Sequence, residues 1–139
     1  MQVGKIFYFK NAQLFRKWLA KNHSQQDSAW LLFYKKHANK PTMTYQEALD
    51  EALCYGWVDG ILKSLGDTKH IIRFSPRRQN SLWSKHNLGH IKRLIWQKKM
   101  CAAGKAVLPK PLLRQLMSNT EIKTSKKRTL VKKYGVRIY

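Results

Sequence analysis

Two strand-like segments joined by a short turn constrain the fold of this chain more than any other feature. Residues 58–65 and 69–75 contain apolar residues such as Val, Ile and Phe, and Gly66-Asp67 lies between them. This spacing predicts an antiparallel β-hairpin with a tight turn. Pro76 ends the second strand, because proline has no N–H to continue a sheet ladder.

Helical patterns precede and follow the hairpin. The segment 12–22 has apolar residues at helical spacing and follows an asparagine that can cap it. Thr44 and Glu47 have the spacing of a capping box, which predicts a second helix that Gly56 ends. A longer amphipathic segment from about 84 to 99 predicts the last helix.

One more strand completes the predicted fold. The segment 29–34 is short, aromatic-rich and continuously apolar, which predicts a strand buried on both faces. We therefore predict an α+β fold, with a small, mainly antiparallel sheet of about three strands. The helices pack on one face of it, and the element order is α-β-α-β-β-α. We expect residues 1–104 to form the domain and residues 105–139 to form a basic, partly disordered C-terminal extension.

The charge of the chain predicts an anionic partner. Lys and Arg number 28 against 7 Asp and Glu, which gives a formal net charge of +21. Such an excess attracts nucleic acid, acidic proteins or anionic lipid surfaces, and it does not select among them. Loose and non-functional anion binding is the alternative that charge alone leaves open.

Other features predict a cytoplasmic protein without a cofactor or metal. The chain has no apolar run of about eighteen residues to span a membrane, and its N-terminus lacks a signal-peptide pattern. Cys54 and Cys101 are too few for a disulfide scaffold, which favours a reducing compartment. No phosphate-binding glycine loop or zinc cysteine set is present. His86 and His90 have a metal-compatible spacing, but cations on the same helix face disfavour a metal.

Polar, aromatic and basic residues concentrate in two segments, 52–60 and 73–87. A carboxylate, forked guanidinium groups and a helix N-terminus in one place suit an anion site or acid–base chemistry. The candidate ligand-binding residues are Asp59, Arg73, Arg77, Arg78, Trp83, Ser84 and Asn87.

A structural role is the alternative to ligand binding for several of these residues. Asp59 can stabilise its turn or pair with Arg73 or Arg77, and we expect this turn to touch the start of the last helix. Capping is the expected role of Ser84, and core packing that of Trp83. Asn87 at the edge of an apolar helix face needs hydrogen-bond partners, either in the Asp59 turn or in a ligand.

An ordered set of motifs lies between residues 9 and 104. It comprises Trp18-Leu19, Trp30-Leu31, Lys35-Lys36, Tyr45 with Glu47-Ala48, Gly56-Trp57-Val58-Asp59-Gly60, Phe74-Ser75-Pro76-Arg77-Arg78, Ser81, Trp83-Ser84, Asn87, Arg93-Leu94-Ile95, Met100 and Ala103-Gly104. In these motifs the chain resembles the YdeI/OmpD-associated family, also described as bacteriocin-protection proteins. It departs from the pattern at Lys98, where the family has glycine, and the resemblance fades after Gly104.

The resemblance implies a small bacterial cytosolic protein linked to bacteriocin or envelope-stress tolerance. It implies no established catalytic mechanism and no agreed ligand. We therefore expect a non-enzymatic binding protein of this type. One alternative is a nucleic-acid-binding protein that uses its basic surface and tail. Another is an enzyme of unknown reaction centred on Asp59 and Arg77, although an obvious nucleophile or base pair is missing.

Overall fold

The computed structural model describes residues 3–78 and 83–120. Within these ranges the chain forms four strands and five α-helices, which confirms the α+β class. In chain order the elements are β1 (Ile6–Tyr8), α1 (Ala12–Asn22), β2 (Ala29–Tyr34), a 3-10 turn (Lys36–Ala38), α2 (Tyr45–Cys54), β3 (Trp57–Ser64), β4 (Lys69–Pro76), α3 (Lys85–Trp96), α4 (Ala102–Ala106) and α5 (Lys110–Thr120).

The strands form one mixed sheet in the order β1-β2-β4-β3. β3 and β4 are the predicted hairpin, and β2 also pairs antiparallel with β4. β1 adds a fourth strand, which runs parallel to β2. The prediction of about three, mainly antiparallel strands therefore missed strand β1 and its parallel pairing with β2. A strand of three residues is too short to show the alternation that identifies strands in a sequence.

Local chemistry sets the ends of the first two helices as predicted. The Asn11 side chain accepts a hydrogen bond from the backbone N–H of Leu14 at 3.0 Å and caps α1. Thr44 and Glu47 form the reciprocal capping box of α2, with distances of 2.9 and 3.1 Å. Gly56 follows the end of α2 with a φ of +77°, a conformation that glycine adopts without strain.

The two faces of the sheet differ, because successive side chains of a strand point in opposite directions. We call inner the face formed by Ala29, Leu31, Phe33, Ile72 and Phe74, and outer the face formed by Trp30, Leu32, Tyr34, Ile71 and Arg73. The inner face packs on α1 and α2, as the predicted arrangement of helices requires. Leu31 is 0% exposed and Trp30 is 3% exposed, so β2 is buried on both faces, as predicted.

Helix α2 lies between two apolar clusters. Ala48 and Ala52 face the sheet, where they join Phe15 and Leu19 of α1. Leu49 and Leu53 belong to a second cluster that also contains Ile91, Leu94 and Ile95 of α3. The molecule therefore has a sheet, a layer with α1 and α2, and further helices packed on α2.

The second cluster continues beyond the boundary predicted at residue 104. Leu108 and Leu116 are buried in it, and α5 packs on α3. Gly104 of α4 lies so close to α2 that a Cβ atom there would be 2.4 Å from the carbonyl oxygen of Cys54. Among the described residues, no helix combines the length and apolarity that crossing a membrane requires. Residues 121–139, which hold most of the predicted disordered tail, lie outside the described residues.

Helix α3 ends in a Schellman motif at Lys98. The backbone N–H of Lys98 bonds to the carbonyl of Ile95, and that of Lys99 bonds to the carbonyl of Leu94, both at 3.0 Å. Lys98 has a φ of +61°, in the left-handed region that favours glycine. The lysine therefore occupies a backbone conformation for which glycine is better suited.

Candidate functional site

The backbone brings the two candidate segments together at one end of the β3–β4 hairpin. Trp57 pairs with Pro76, and Asp59 pairs with Phe74. The backbone N–H of Arg77 donates to the carbonyl of Gly56 at 2.8 Å. The start of β3 and the chain that leaves β4 are therefore neighbours. Residues 79–82, including Ser81, lie outside the described residues.

Asp59 is engaged by the first residue of α2. The hydroxyl of Tyr45 donates to Oδ2 of Asp59 at 2.5 Å. Burial and this hydrogen bond raise the pKa of Tyr45 to about 12, so its hydroxyl remains a donor at neutral pH. The pair joins the start of α2 to the inner face of β3, which is a structural role for the carboxylate. Sequence reasoning missed Tyr45 as the partner, because the two residues are brought together only by the packing of α2 on β3.

Arg73 lies on the other face of the sheet from Asp59. Phe74 pairs with Asp59 on the inner face, and the preceding residue, Arg73, points to the outer face opposite Trp30. A pairing of Asp59 with Arg73 is therefore wrong, because neighbouring residues of a strand alternate between faces. Arg73 instead lines a cavity of about 440 Å³ together with Lys5 and Trp30.

Arg77 and Trp83 form a cation–π pair between β4 and α3. The guanidinium carbon of Arg77 lies 3.7 Å from the centroid of the indole ring. Burial lowers the pKa of Arg77 from its usual value, yet an arginine remains charged at neutral pH. Trp83 also packs against the second apolar cluster, in line with the expected packing role. Arg78, the next residue, is exposed.

Ser84 and Asn87 are joined by a helix cap. The Oγ atom of Ser84 accepts a hydrogen bond from the backbone N–H of Asn87 at 3.1 Å, which confirms the expected capping role of Ser84. Asn87 is half-buried on the first turn of α3, close in sequence to Trp83. Ser84 is therefore committed to the start of the helix. The cap, the indole and Arg77 form the part of the predicted site that the structure holds together.

A polar cluster between α2 and α3 lies outside the predicted set. Arg93 donates to Oδ1 of Asp50 at 2.7 Å, and Gln46 donates to the same oxygen at 2.9 Å. His90 lies between them, and its Nε2 is 3.1 Å from Nε2 of His86. Burial lowers the pKa of His90, although Asp50 opposes this effect. The i, i+4 spacing of the histidines was visible in the sequence, but the contact with Asp50 depends on tertiary packing.

Another polar cluster joins α1 and α2 around a buried carboxylate. Glu51 is 4% exposed, and Arg16 donates to it at 3.0 Å. The same guanidinium donates to the carbonyl of Lys99 at 2.9 Å and contacts the sulfur of Cys101 at 3.4 Å. Burial raises the pKa of Cys54 to about 11, so this thiol stays protonated and is a poor nucleophile. Among the described residues, no group of three or more His, Cys, Asp or Glu side chains could hold a metal ion.

The fold and site define an α+β domain in which a helical layer covers one face of a four-stranded mixed sheet. The model of a family described as a domain of unknown function, DUF8412, matches residues 7–107. The chain therefore belongs to the DUF8412 family. No curated protein and no solved structure matches the chain.

Proposed function

We propose that this protein is a non-enzymatic, cytoplasmic binding protein for an anionic partner. The observation that carries the proposal is the net charge of +21, which comes from 28 basic and 7 acidic side chains. A charge of this size creates an attractive potential for polyanions over much of the surface. We further propose, from the resemblance to the YdeI/OmpD-associated family, that the protein acts in bacteriocin or envelope-stress tolerance.

The positions of the carboxylates support this proposal. Asp50 is paired with Arg93, and Glu51 is paired with Arg16 and Lys99. Asp59 accepts a hydrogen bond from Tyr45, and Glu47 completes the capping box of α2. These four acidic groups are committed to internal contacts, whereas the described Lys residues are exposed or half-buried. The surface therefore presents mainly positive charge to a partner.

The same contacts favour binding over catalysis. The carboxylate of Asp59 is held by Tyr45, and the guanidinium of Arg77 is stacked on Trp83. Asp59 is thus paired with Tyr45, and Arg77 is paired with Trp83, and the two pairs come from different secondary-structure elements. An enzyme centred on Asp59 and Arg77 would need both groups to face one reacting atom.

A salt titration tests the proposed function. The full chain should bind a fluorescent oligonucleotide, and the logarithm of the binding constant should fall linearly with the logarithm of salt concentration. A peptide nucleic acid of the same base sequence is the matched control, since its backbone is uncharged and we expect it not to bind. Absence of binding to both the oligonucleotide and anionic lipid vesicles at low salt would refute the proposal. Comparable binding of the uncharged analogue would show that charge is not what the protein recognises.

The cellular role is tested separately. A strain without the protein should be more sensitive to bacteriocins or cationic peptides, and the wild-type chain should restore tolerance. If loss of the protein leaves tolerance unchanged, the proposed role in bacteriocin or envelope-stress tolerance is wrong, whereas the proposed binding to anions is not affected.

A further inference from the structure

The outer face of the sheet combines aromatic rings with basic side chains. The side chains that point to it from the four strands include Tyr8, Trp30, Tyr34, Lys63, Lys69 and Arg73. Asp59 is the one acidic residue of the four strands, and it lies on the inner face. The strands therefore present rings and positive charge on this face without a carboxylate of their own.

The side chains in the middle of the outer face are buried, whereas a side chain at its edge is accessible to solvent. Trp30 is 3% exposed, and Nζ of Lys63 lies 5.6 Å from the centroid of its ring. Ile71 beside it is 0% exposed, so these two side chains form the floor of the surface. Tyr8 on the edge strand β1 is 38% exposed, although its hydroxyl donates to the carbonyl of Pro41. A ring that is both exposed and held in place is suited to contact a flat ligand.

Aromatic and basic groups lie at both ends of this face. At one end, the ring of Tyr8 meets Tyr34 edge-on, with centroids 5.3 Å apart, and Lys69 is the cross-strand neighbour of Tyr34. At the other end, Arg73 lies opposite Trp30 and lines the cavity of about 440 Å³. The two ends are four residues apart along β2, which is about 13 Å at 3.3 Å per residue. An extended ligand with repeated charges and flat groups can contact both ends at once.

We propose that the outer face binds a single-stranded polynucleotide, with a base on the ring of Tyr8 and phosphates near Lys69 and Arg73. This inference rests on the proposed function, since it names the anion and the surface that binds it. Single strands suit the surface because unpaired bases can stack on exposed aromatic rings, whereas bases in a duplex are already stacked. A second copy of the chain is a poor occupant, because two copies would each carry a net charge of +21.

Removal of the ring tests the stacking interaction. Tyr8→Leu should weaken binding of a fluorescent single-stranded 12-mer about fivefold or more, as expected when one base no longer stacks on an aromatic ring. Tyr8→Phe loses the hydroxyl but keeps the ring and its edge-on contact with Tyr34, so as the matched control it should bind much more tightly than Tyr8→Leu. The wild type should also prefer the single strand over a duplex of the same sequence. Equal binding of the single strand by all three proteins would overturn the stacking interaction, and a preference for the duplex would overturn the ligand class.

Removal of charge tests the location of the site. Lys69→Gln and Arg73→Gln combined should reduce the steepness of the salt dependence by about 1.4, because each phosphate that is no longer neutralised lowers it by about 0.7. The matched control combines Lys17→Gln and Arg114→Gln, which removes the same charge from exposed positions on α1 and α5. Thermal midpoints establish that both variants fold.

The outcomes of this pair separate the two proposals. If the control variant loses as much affinity and salt dependence as the outer-face variant, the outer face is not the site, although the protein still binds anions. If the wild type binds neither nucleic acid nor anionic lipid vesicles at low salt, the proposed function fails as well. If the outer-face variant loses binding to anionic lipid vesicles while single strands do not bind the wild type, the face recognises lipid and the inference is wrong.

Discussion

The two faces of the sheet use the same strands for different purposes. On the inner face, Phe33, Ile72 and Phe74 are at most 3% exposed and pack on α1 and α2. On the outer face, Trp30 and Ile71 are equally buried, but Lys69 and Arg73 beside them are half-buried and the edge ring of Tyr8 is more than a third exposed. One strand thus contributes to an apolar core and to a basic surface in alternating positions.

This difference shows where stability and binding are located. Removal of apolar area from water on the inner face stabilises the fold, whereas exposed cations contribute little to stability. The outer face is therefore free to vary in charge without loss of the fold. Substitutions of inner-face apolar residues should accordingly affect unfolding, whereas substitutions of the outer-face cations and edge ring should affect binding.

The largest expected effect is the loss of a ring from the inner face. Phe74→Ala should lower the free energy of unfolding by about 3–5 kcal/mol, the usual cost of removing a buried phenylalanine. Phe74 is 0% exposed and contacts the rings of Phe15 and Phe33, so the cavity cannot fill easily. Tyr8→Leu on the outer face should cost less than about 1 kcal/mol. Chemical denaturation measures both values, and similar losses from the two variants would break the distinction between the faces.

Much of the fold could be predicted from the sequence, because the local patterns agree with the tertiary structure. The helix over 12–22, the strand over 29–34 and the capping box at Thr44 depend on neighbouring residues, and all are present. β1 was missed because three residues carry no period. α5 was missed because its Leu112, Leu113 and Leu116 stand in a basic segment, although their spacing is helical.

The candidate site was harder to predict, because its side-chain contacts depend on strand register and on the packing of helices against the sheet. Ser84 as a cap follows from its place before a helix, and it is confirmed. The partner of Asp59 does not follow from sequence, since Tyr45 lies fourteen positions away on another element. The register between β3 and β4 decides that Arg73 faces away from Asp59, and a bulge between Asp59 and Leu62 shifts that register. Whether the predicted set binds a ligand stays a prediction.

A second contrast concerns charge in the helical layer and charge on the outer face. Arg16→Met should lower the free energy of unfolding by about 2–3 kcal/mol, because among the described residues it leaves the buried carboxylate of Glu51 with Lys99, at 3.8 Å, as its one ion-pair partner. Lys69→Met on the outer face is the matched change and should cost less than about 0.5 kcal/mol.

The double variant sharpens this test. Arg16→Met combined with Glu51→Met should be more stable than Arg16→Met alone, because no unpaired charge remains buried. Urea denaturation of the wild type and the three variants gives the coupling free energy. If the loss of unfolding free energy in the double variant equals the sum of the losses in the two single variants, the two side chains do not interact.

The smallest expected effect concerns Lys98, just after the end of α3. Lys98→Gly should raise the free energy of unfolding by up to about 1 kcal/mol, because the left-handed conformation costs other residues about 1–2 kcal/mol and glycine loses part of this gain through its greater freedom when unfolded. Lys92→Gly in the middle of α3 is the matched control, and it should lower stability by about 1 kcal/mol. Thermal unfolding compares the two variants, which should shift the midpoint in opposite directions. A lower midpoint for Lys98→Gly would mean that the lysine side chain makes an interaction worth more than the backbone strain it imposes.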